Sequence, residues 1–179
     1  MRPRLGLLIF IVFTLGSTGA LIAETSFRLS EIGFRAGSGI GKDHDFRQTE
    51  LFSSLTTPWA RTTPSGNFRA DLEAHAGGGI LRNSDATAAL FYAGPGLRLS
   101  APGFPLYLTA GSAPTYLTRS RFGDVDLGQR LQFTSSAAIT LMLTPEIGLR
   151  YRAQHMSNAR LARPNPGINT HSAGIVIVF

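Results

Sequence analysis

The chain has 179 residues, no cysteine and a formal net charge of +6 at pH 7. The absence of cysteine excludes disulfide scaffolds and thiolate catalysis. Only 16% of the residues are charged and 43% are hydrophobic, which is unusual for an exported soluble domain and typical of a membrane β-barrel. A basic excess suits nucleic acid, but the export signal described next argues against that partner and favours anionic lipid.

The first residues predict a secretory signal peptide. Arg2 and Arg4 precede an apolar run over 5–15, and small residues follow it. A basic start, about a dozen apolar residues and a small-residue cleavage site form an export signal. The run is too short to span a bilayer, which needs about 20 residues. We therefore expect residues 1–23 to be removed, with cleavage after Ala20 or Ala23, and residues 24–179 to form a single domain.

Eight later segments show the period-2 alternation of barrel strands and are separated by turn residues. The segments 61–65 and 119–128 are expected to be loops. The sequence therefore predicts an all-β protein, an eight-stranded antiparallel transmembrane β-barrel, integral to a Gram-negative outer membrane. A barrel of this size has an interior filled by side chains. The predicted strands are 27–40, 46–57, 67–80, 85–100, 103–118, 131–143, 146–158 and 169–179.

Strand 146–158 indicates which side chains share a face. Its odd positions are mainly apolar and include His155 and Ser157, whereas its even positions include Arg150 and Arg152. In a membrane barrel the apolar face meets lipid and the charged face fills the interior. In a soluble periplasmic sandwich or lipocalin-like carrier the same apolar face would be the core, and this alternative stays open.

Several polar and aromatic residues are given structural places. Arg150 and Arg152 are expected to pair inside the barrel with carboxylates such as Glu73 or Glu50. The segment 42–45, Lys-Asp-His-Asp, is interpreted as a solvated turn, and no metal site or cofactor is predicted. The aromatic residues expected in the belts at the membrane interfaces are Trp59, Tyr92, Tyr107 and Tyr116.

The residues that suggest chemistry are His155 and Ser157. Residues i and i+2 of a strand share a face, so a base and a hydroxyl nucleophile point the same way, towards lipid. A loop of Arg, Pro, Asn and Gly then returns the chain, and Asn169 begins the neighbouring strand on the same outward face. The sequence therefore predicts a site that takes its substrate from the membrane.

The run HMSNARLARPNPGIN at 155–169 resembles the signature of the lipid A 3-O-deacylases, also described as acyloxyacyl hydrolases. In that family His-x-Ser-Asn-Ala is followed by Pro-Asn-x-Gly-x-Glu. The resemblance is sharpest over 147–179. It implies an eight-stranded outer-membrane barrel that removes an ester-linked acyl chain from lipopolysaccharide, with lipid A as its substrate.

The resemblance also implies roles for individual residues. Ser157 falls on the nucleophile and His155 on the general base, while Asn169 falls where the family has a glutamate. Asn158 would contact the oxyanion. An asparagine can orient an imidazole but cannot neutralise it, so a catalytically weak or inactive lipopolysaccharide-binding barrel is the alternative.

Two further expectations concern partners. Arg160 and Arg163 lie in the loop that follows His155 and Ser157, where their guanidinium groups could bind the phosphates of lipid A. A homodimer is left open as a further interaction.

Overall fold

The computed structural model describes residues 27–179, so the predicted signal peptide lies outside the described residues. No helix in this part of the chain is long and apolar enough to cross a bilayer. The strands are β1 (Arg28–Gly39), β2 (Arg47–Thr62), β3 (Arg69–Arg82), β4 (Thr87–Ser100), β5 (Leu106–Leu117), β6 (Arg121–Phe122), β7 (Val125–Asp126), β8 (Leu131–Met142), β9 (Ile147–Ser157) and β10 (Ile168–Val178).

Eight of these strands close into one antiparallel barrel in the order β1-β10-β9-β8-β5-β4-β3-β2, which confirms the predicted fold. The short strands β6 and β7 form a separate hairpin inside the segment predicted as a loop. Strand β2 continues through Thr62, five residues beyond its predicted end, because a register shift between Thr56 and Ala60 lets pairing with β3 resume.

The two faces of the barrel wall differ as predicted. Along β9, Leu149 and Tyr151 are exposed while Arg150 and Arg152 are buried. Large hydrophobic side chains are exposed all around the wall, for example Phe34, Leu51 and other residues of every long strand. A soluble sandwich or carrier would bury such a face, so the outward apolar band is that of a transmembrane barrel.

A carboxylate on β1 organises the barrel interior. Glu31 is fully buried and accepts hydrogen bonds from both Arg150 terminal nitrogens at 2.6 and 2.8 Å, from Arg98 at 2.8 Å and from the Tyr107 hydroxyl at 2.8 Å. Arg150 therefore pairs with Glu31 and not with Glu73 or Glu50. The prediction missed Glu31 because β1 and β9 meet across the interior only after the barrel closes.

Other charged side chains of the interior also form ion pairs. Arg152 pairs with Glu50, as predicted, and Arg35 contacts the same carboxylate. Glu73 binds His75 at 2.9 Å and Arg98. Tyr92 and Tyr107 point into this network, so their expected places in the interface belts were wrong.

One end of the barrel is closed by apolar side chains. They pack beneath the loops that join β1 to β2, β5 to β8 and β9 to β10, at the end away from the start of β1. Met156 and Ile168 belong to this cluster and are register partners on β9 and β10. The inward neighbours of the catalytic candidates are thus part of a packed core. The fully or almost fully buried members include Phe46, Leu81, Leu90, Leu117, Phe122, Leu127, Met156 and Ile168.

Candidate active site

Strand β9 ends at Ser157 and β10 begins at Ile168, so the predicted site lies where this hairpin opens into its loop. His155 is exposed on the outer wall, Ser157 is half-buried on the same face, and Asn169 is half-buried beside them. Asn169 is the register partner of His155. The closure of β9 against β10 therefore brings together the three residues predicted to carry the chemistry.

A hydrogen bond of 2.9 Å joins His155 Nδ1 to Asn169 Oδ1. An amide oxygen only accepts, so Nδ1 carries the proton and Nε2 retains its lone pair. Gly167, with a φ of +64°, borders the ring, and a Cβ there would lie 2.7 Å from His155 Cε1 and 3.3 Å from Nε2. The absence of a side chain at Gly167 leaves the basic edge of the imidazole open.

Ser157 follows His155 by two positions on the same outward face of β9. Within residues 27–179, no hydrogen bond joins the Ser157 hydroxyl to His155. Such catalytic contacts are often long in free enzymes and tighten when substrate binds. On the neighbouring strand, Ser135 is the register partner of His155 and Phe133 that of Ser157.

Asn158 has a different place from the one predicted. Its side chain is fully buried, and Nδ2 donates to the carbonyl oxygens of Leu127, Ala162 and Pro164 at 2.8, 3.1 and 3.0 Å. Its backbone N–H donates to Asn165 Oδ1. Both side-chain amide hydrogens of Asn158 therefore hold the loop that follows Ser157 in this structure.

That loop is held in a demanding conformation. Ala159 and Arg160 have φ values of 52° and 66°, and each left-handed non-glycine residue costs about 1–2 kcal/mol. The Asn158 clamp offsets this cost. The β6–β7 hairpin supplies the Leu127 carbonyl, and a Cβ at Gly128 would lie 2.3 Å from Pro164 O. Backbone therefore packs on backbone beside the site.

The hairpin is itself fixed by a carboxylate. Asp126 Oδ1 accepts the Gly128 N–H at 2.8 Å and Asp126 Oδ2 accepts from Arg121 at 2.8 Å. These two contacts, first the Gly128 N–H and then the guanidinium, lower the pKa of Asp126. The charged form of Asp126 is thus the one that supports the turn.

The residue that sequence reasoning missed is Asp43. The segment 42–45 was interpreted as a solvated turn, but the Asp43 side chain is buried, with only 5% of the residue exposed. Its Oδ2 accepts from the Asn169 backbone N–H at 2.9 Å and lies 3.4 Å from Asn169 Nδ2. No local pattern reveals this contact, because 126 positions separate the two residues. Only barrel closure, which sets β1 beside β10, brings them together.

A second serine–histidine contact lies on the same outer wall. His171 Nε2 is 3.1 Å from Ser38 Oγ, and Nδ1 is 3.3 Å from the Tyr151 hydroxyl. Both ring nitrogens of His171 therefore have hydroxyl partners, and no carboxylate or amide among the described residues orients the ring. This pair is a competing candidate for the reactive site and a matched control for it.

Arg160 and Arg163 are exposed and line an open cavity of about 610 Å³ together with Pro164 and Asn165. No carboxylate within residues 27–179 pairs with either guanidinium. Their charges are therefore available to an anionic ligand.

An apolar groove of about 380 Å³ lies on the barrel wall, and Ala153 of β9 is among the residues that line it. The smallest side chains that line the groove include those of Ala110, Ala137 and Ala153, which are successive register partners on β5, β8 and β9. Ala153 lies two positions before His155 on the same face. The walls are formed by bulkier residues, including Leu97, Leu99, Leu108, Ile139 and Tyr151.

An oriented histidine and a serine on the lipid-facing wall of a closed barrel define an outer-membrane barrel whose candidate site opens to the bilayer. Comparison with known proteins identifies its family. Residues 47–177 match the family described as lipid A 3-O-deacylase (PagL). The chain belongs to this family, which confirms the resemblance found in the sequence and assigns the barrel to the outer membrane.

Individual proteins show partial sequence identity to this chain. Lipid A deacylase PagL of Bordetella bronchiseptica is 38% identical over 65 residues, which cover 35% of this chain and 35% of that protein. The crystal structure of the outer membrane enzyme PagL has a TM-score of 0.72 at 22% identity and covers 84% of this chain and 100% of its own. The N-terminal β-barrel domain of Pseudomonas aeruginosa OprF has a TM-score of 0.50 at 14% identity, with 86% and 100% covered. Both structures share the fold.

Proposed function

We propose that this protein is a serine esterase that hydrolyses the 3-O-linked acyl chain of lipid A. Ser157 is the nucleophile, His155 the general base and Asn169 the residue that orients it. The observation that carries this proposal is the hydrogen bond from His155 to Asn169 on a lipid-facing wall, because it leaves Nε2 basic on the side open to the membrane.

The reaction follows acyl-transfer chemistry. His155 Nε2 takes the Ser157 proton as Oγ forms a bond to the ester carbonyl carbon, and the carbonyl oxygen becomes an oxyanion. Collapse of this intermediate breaks the bond to the sugar oxygen, which leaves with the proton from His155. Water, deprotonated by His155, then attacks the acyl-enzyme and releases the fatty acid as Ser157 regains its proton.

Two features of the surface support a lipid A substrate. The groove lined by Ala153, two positions before His155, suits an acyl chain, because it is apolar and opens to lipid. Arg160 and Arg163 lie at the barrel end that carries the longest loops, which is the extracellular end in such barrels. Lipid A phosphates at that depth match these cations in charge and in bidentate geometry.

The proposal is tested by mass spectrometry of lipid A from cells that produce the wild type or Ser157→Ala. We expect the wild type to yield lipid A lacking one 3-O-acyl chain and Ser157→Ala to leave the chain in place. Ser135→Ala and Ser38→Ala are controls, because both hydroxyls lie on the same face beside a histidine. Identical lipid A from the wild type and Ser157→Ala would contradict the proposal, as would loss of activity in Ser38→Ala alone.

The second candidate function is lipopolysaccharide binding without efficient hydrolysis. It is favoured by Asn169, since the amide cannot stabilise an imidazolium as the family's glutamate would. This candidate predicts that Asn169→Glu creates deacylation from an inactive baseline. A wild type that already deacylates as fast as Asn169→Glu would exclude it.

A further inference from the structure

We infer that Asp43 is a positioning residue that sets the tautomer of His155 through the side-chain amide of Asn169. Its consequence for catalysis rests on the proposed function, whereas its effect on the imidazole can be measured without any reaction. The contact chain is His155 Nδ1 to Asn169 Oδ1 at 2.9 Å, then Asn169 Nδ2 to Asp43 Oδ2 at 3.4 Å.

The argument begins with the two ends of the Asn169 amide. An asparagine side chain can present either its oxygen or its NH₂ group to a neighbour, and rotation by half a turn exchanges them. A carboxylate only accepts hydrogen bonds. Asp43 therefore favours the orientation in which Nδ2 faces the carboxylate, and this orientation turns Oδ1 towards His155.

The amide in turn determines where the imidazole carries its proton. With Oδ1 facing the ring, Nδ1 must donate and Nε2 keeps the lone pair that a general base needs. With the amide reversed, its NH₂ group would face Nδ1, and the neutral ring would place its proton on Nε2. In serine proteases the wrong tautomer, caused by exchanging the orienting aspartate for asparagine, lowers kcat about 10⁴-fold.

The position of Asp43 is built into the fold. Its side chain is buried at the barrel rim. Its Oδ2 also accepts the Asn169 backbone N–H at 2.9 Å, and this hydrogen bond keeps the carboxylate beside the Asn169 amide. Gly39 allows this approach, because a Cβ there would lie 1.6 Å from the Asp43 carbonyl oxygen. Lys42 Nζ donates to Pro166 O at 3.2 Å and ties the same turn to the β9–β10 loop.

Asp43 is also the carboxylate that the contact chain links to His155, the proposed base. Other titratable or charged residues on the bordering elements include Lys42, His44 and Asp45 in the turn, His171 on β10, and Arg160 and Arg163 in the loop. Asp45 is largely exposed and pairs with His44 at 3.1 Å. Asp43 therefore supplies by way of an amide what the family's glutamate would supply directly.

The first test is NMR of the detergent-solubilised full chain with isotope-labelled histidine, because ring-nitrogen shifts distinguish the two tautomers. His155→Gln assigns the signal among the four histidines. We expect protonated Nδ1 in the wild type and in Asp45→Asn, and a mixture of tautomers in Asp43→Asn. Asp43→Ala removes both side-chain oxygens that can accept from Asn169, and it is a second variant in which the tautomer is measured. Unchanged His155 signals in both Asp43 variants would overturn the inference.

The second test is a double-mutant cycle with Asn169→Glu, measured as kcat and KM on lipid A in micelles. Asp43→Asn should lower kcat about tenfold or more, the effect of one charge-assisted hydrogen bond, with little change in KM. In the Asn169→Glu background the same change should not lower kcat, since the introduced carboxylate would accept from His155 Nδ1 directly. Equal losses in both backgrounds would indicate a merely structural role and contradict the inference.

The two tests separate this inference from the proposed function. If the wild type removes no acyl chain but the tautomer still responds to Asp43→Asn, the esterase proposal fails and the positioning role stands. If the wild type is active and the tautomer and kcat ignore Asp43, the positioning role fails alone. Heat-dependent mobility on gels confirms that each variant forms the barrel.

Discussion

The interior of this barrel and the rim beside the candidate site both hold a buried carboxylate, but the two carboxylates have different hydrogen-bond partners. Inside, Glu31 is hydrogen-bonded by Arg150, Arg98, Tyr107 and Ser54. At the rim, the described partners of the buried Asp43 carboxylate are the backbone and side chain of one residue, Asn169.

The same contrast separates two histidines. His75 points inwards, and its Nε2 pairs with Glu73 at 2.9 Å. His155 points outwards, is oriented through Nδ1, and keeps the edge that carries Nε2 open beside Gly167. A polar network whose groups are all paired stabilises a structure, whereas a reactive group needs one atom oriented but unused. Burial and charge alone therefore do not identify the site.

The largest expected effect is a loss of kcat that distinguishes the two histidines. His155→Gln should lower kcat about 10²- to 10⁴-fold, because it removes the general base. His75→Gln should leave kcat on lipid A unchanged, since His75 does not face the substrate. Rates measured on the folded fraction of each variant decide the point. Comparable losses in both variants would show that the site depends on the interior network.

The next effect is on stability. Glu31→Gln should lower the free energy of unfolding by about 3–5 kcal/mol, because Arg150 and Arg98 would remain buried without their full counter-charge. Urea unfolding in micelles measures it. Glu146→Gln, at an exposed turn, is the control and should change stability by about 0.5 kcal/mol or less. An equal, small effect in both variants would contradict the structural role of the interior pairs.

Sequence reasoning recovered the parts of this comparison that depend on local periodicity. The alternation in β8 and β9 predicted the direction of His155 and Ser157, since side chains of a strand alternate strictly. Pairing between neighbouring hairpin strands predicted Asn169 beside His155. These inferences needed only residues close in the chain.

What escaped prediction depends on barrel closure and on loop packing. Glu31 and Asp43 reach partners more than a hundred positions away, and no spacing rule connects β1 with β9 or the β1–β2 turn with β10. The positions of Tyr92 and Tyr107 were predicted wrongly because a tyrosine side chain suits a membrane interface as well as a polar barrel interior. The loop carbonyls that Asn158 binds were also not predicted, because its position in the motif does not indicate them.

A smaller effect concerns the open edge of His155. Gly167→Ala should lower kcat about tenfold, because its Cβ would press on the imidazole and displace a group that must be held closely. Gly103→Ala is the matched control, since Gly103 also has a positive φ, +77°, but open space around it. Both variants should lose about 1 kcal/mol of stability. Equal kcat values in both would show that the contact with His155 is unimportant.

The smallest effect is a pH dependence in the β6–β7 hairpin. The contacts from Gly128 and Arg121 lower the pKa of Asp126, so they contribute stability above the unfolded pKa. That contribution is lost as pH falls through the folded pKa, which lies below the usual range of an aspartate. Hydrogen exchange of the Gly128 amide should therefore accelerate on acidification relative to Asp126→Asn, which lacks this titration. Identical pH profiles would contradict the role of the carboxylate.

The central claim is that the outward serine beside His155 is the nucleophile. Its most direct test is covalent labelling of the folded protein with a lipid-tailed fluorophosphonate, followed by peptide mass mapping. The account predicts one adduct, on Ser157, that is lost in His155→Gln and retained in His171→Gln. An adduct on Ser38 or Ser135 in place of Ser157, or labelling of Ser157 that is indifferent to His155, would contradict it.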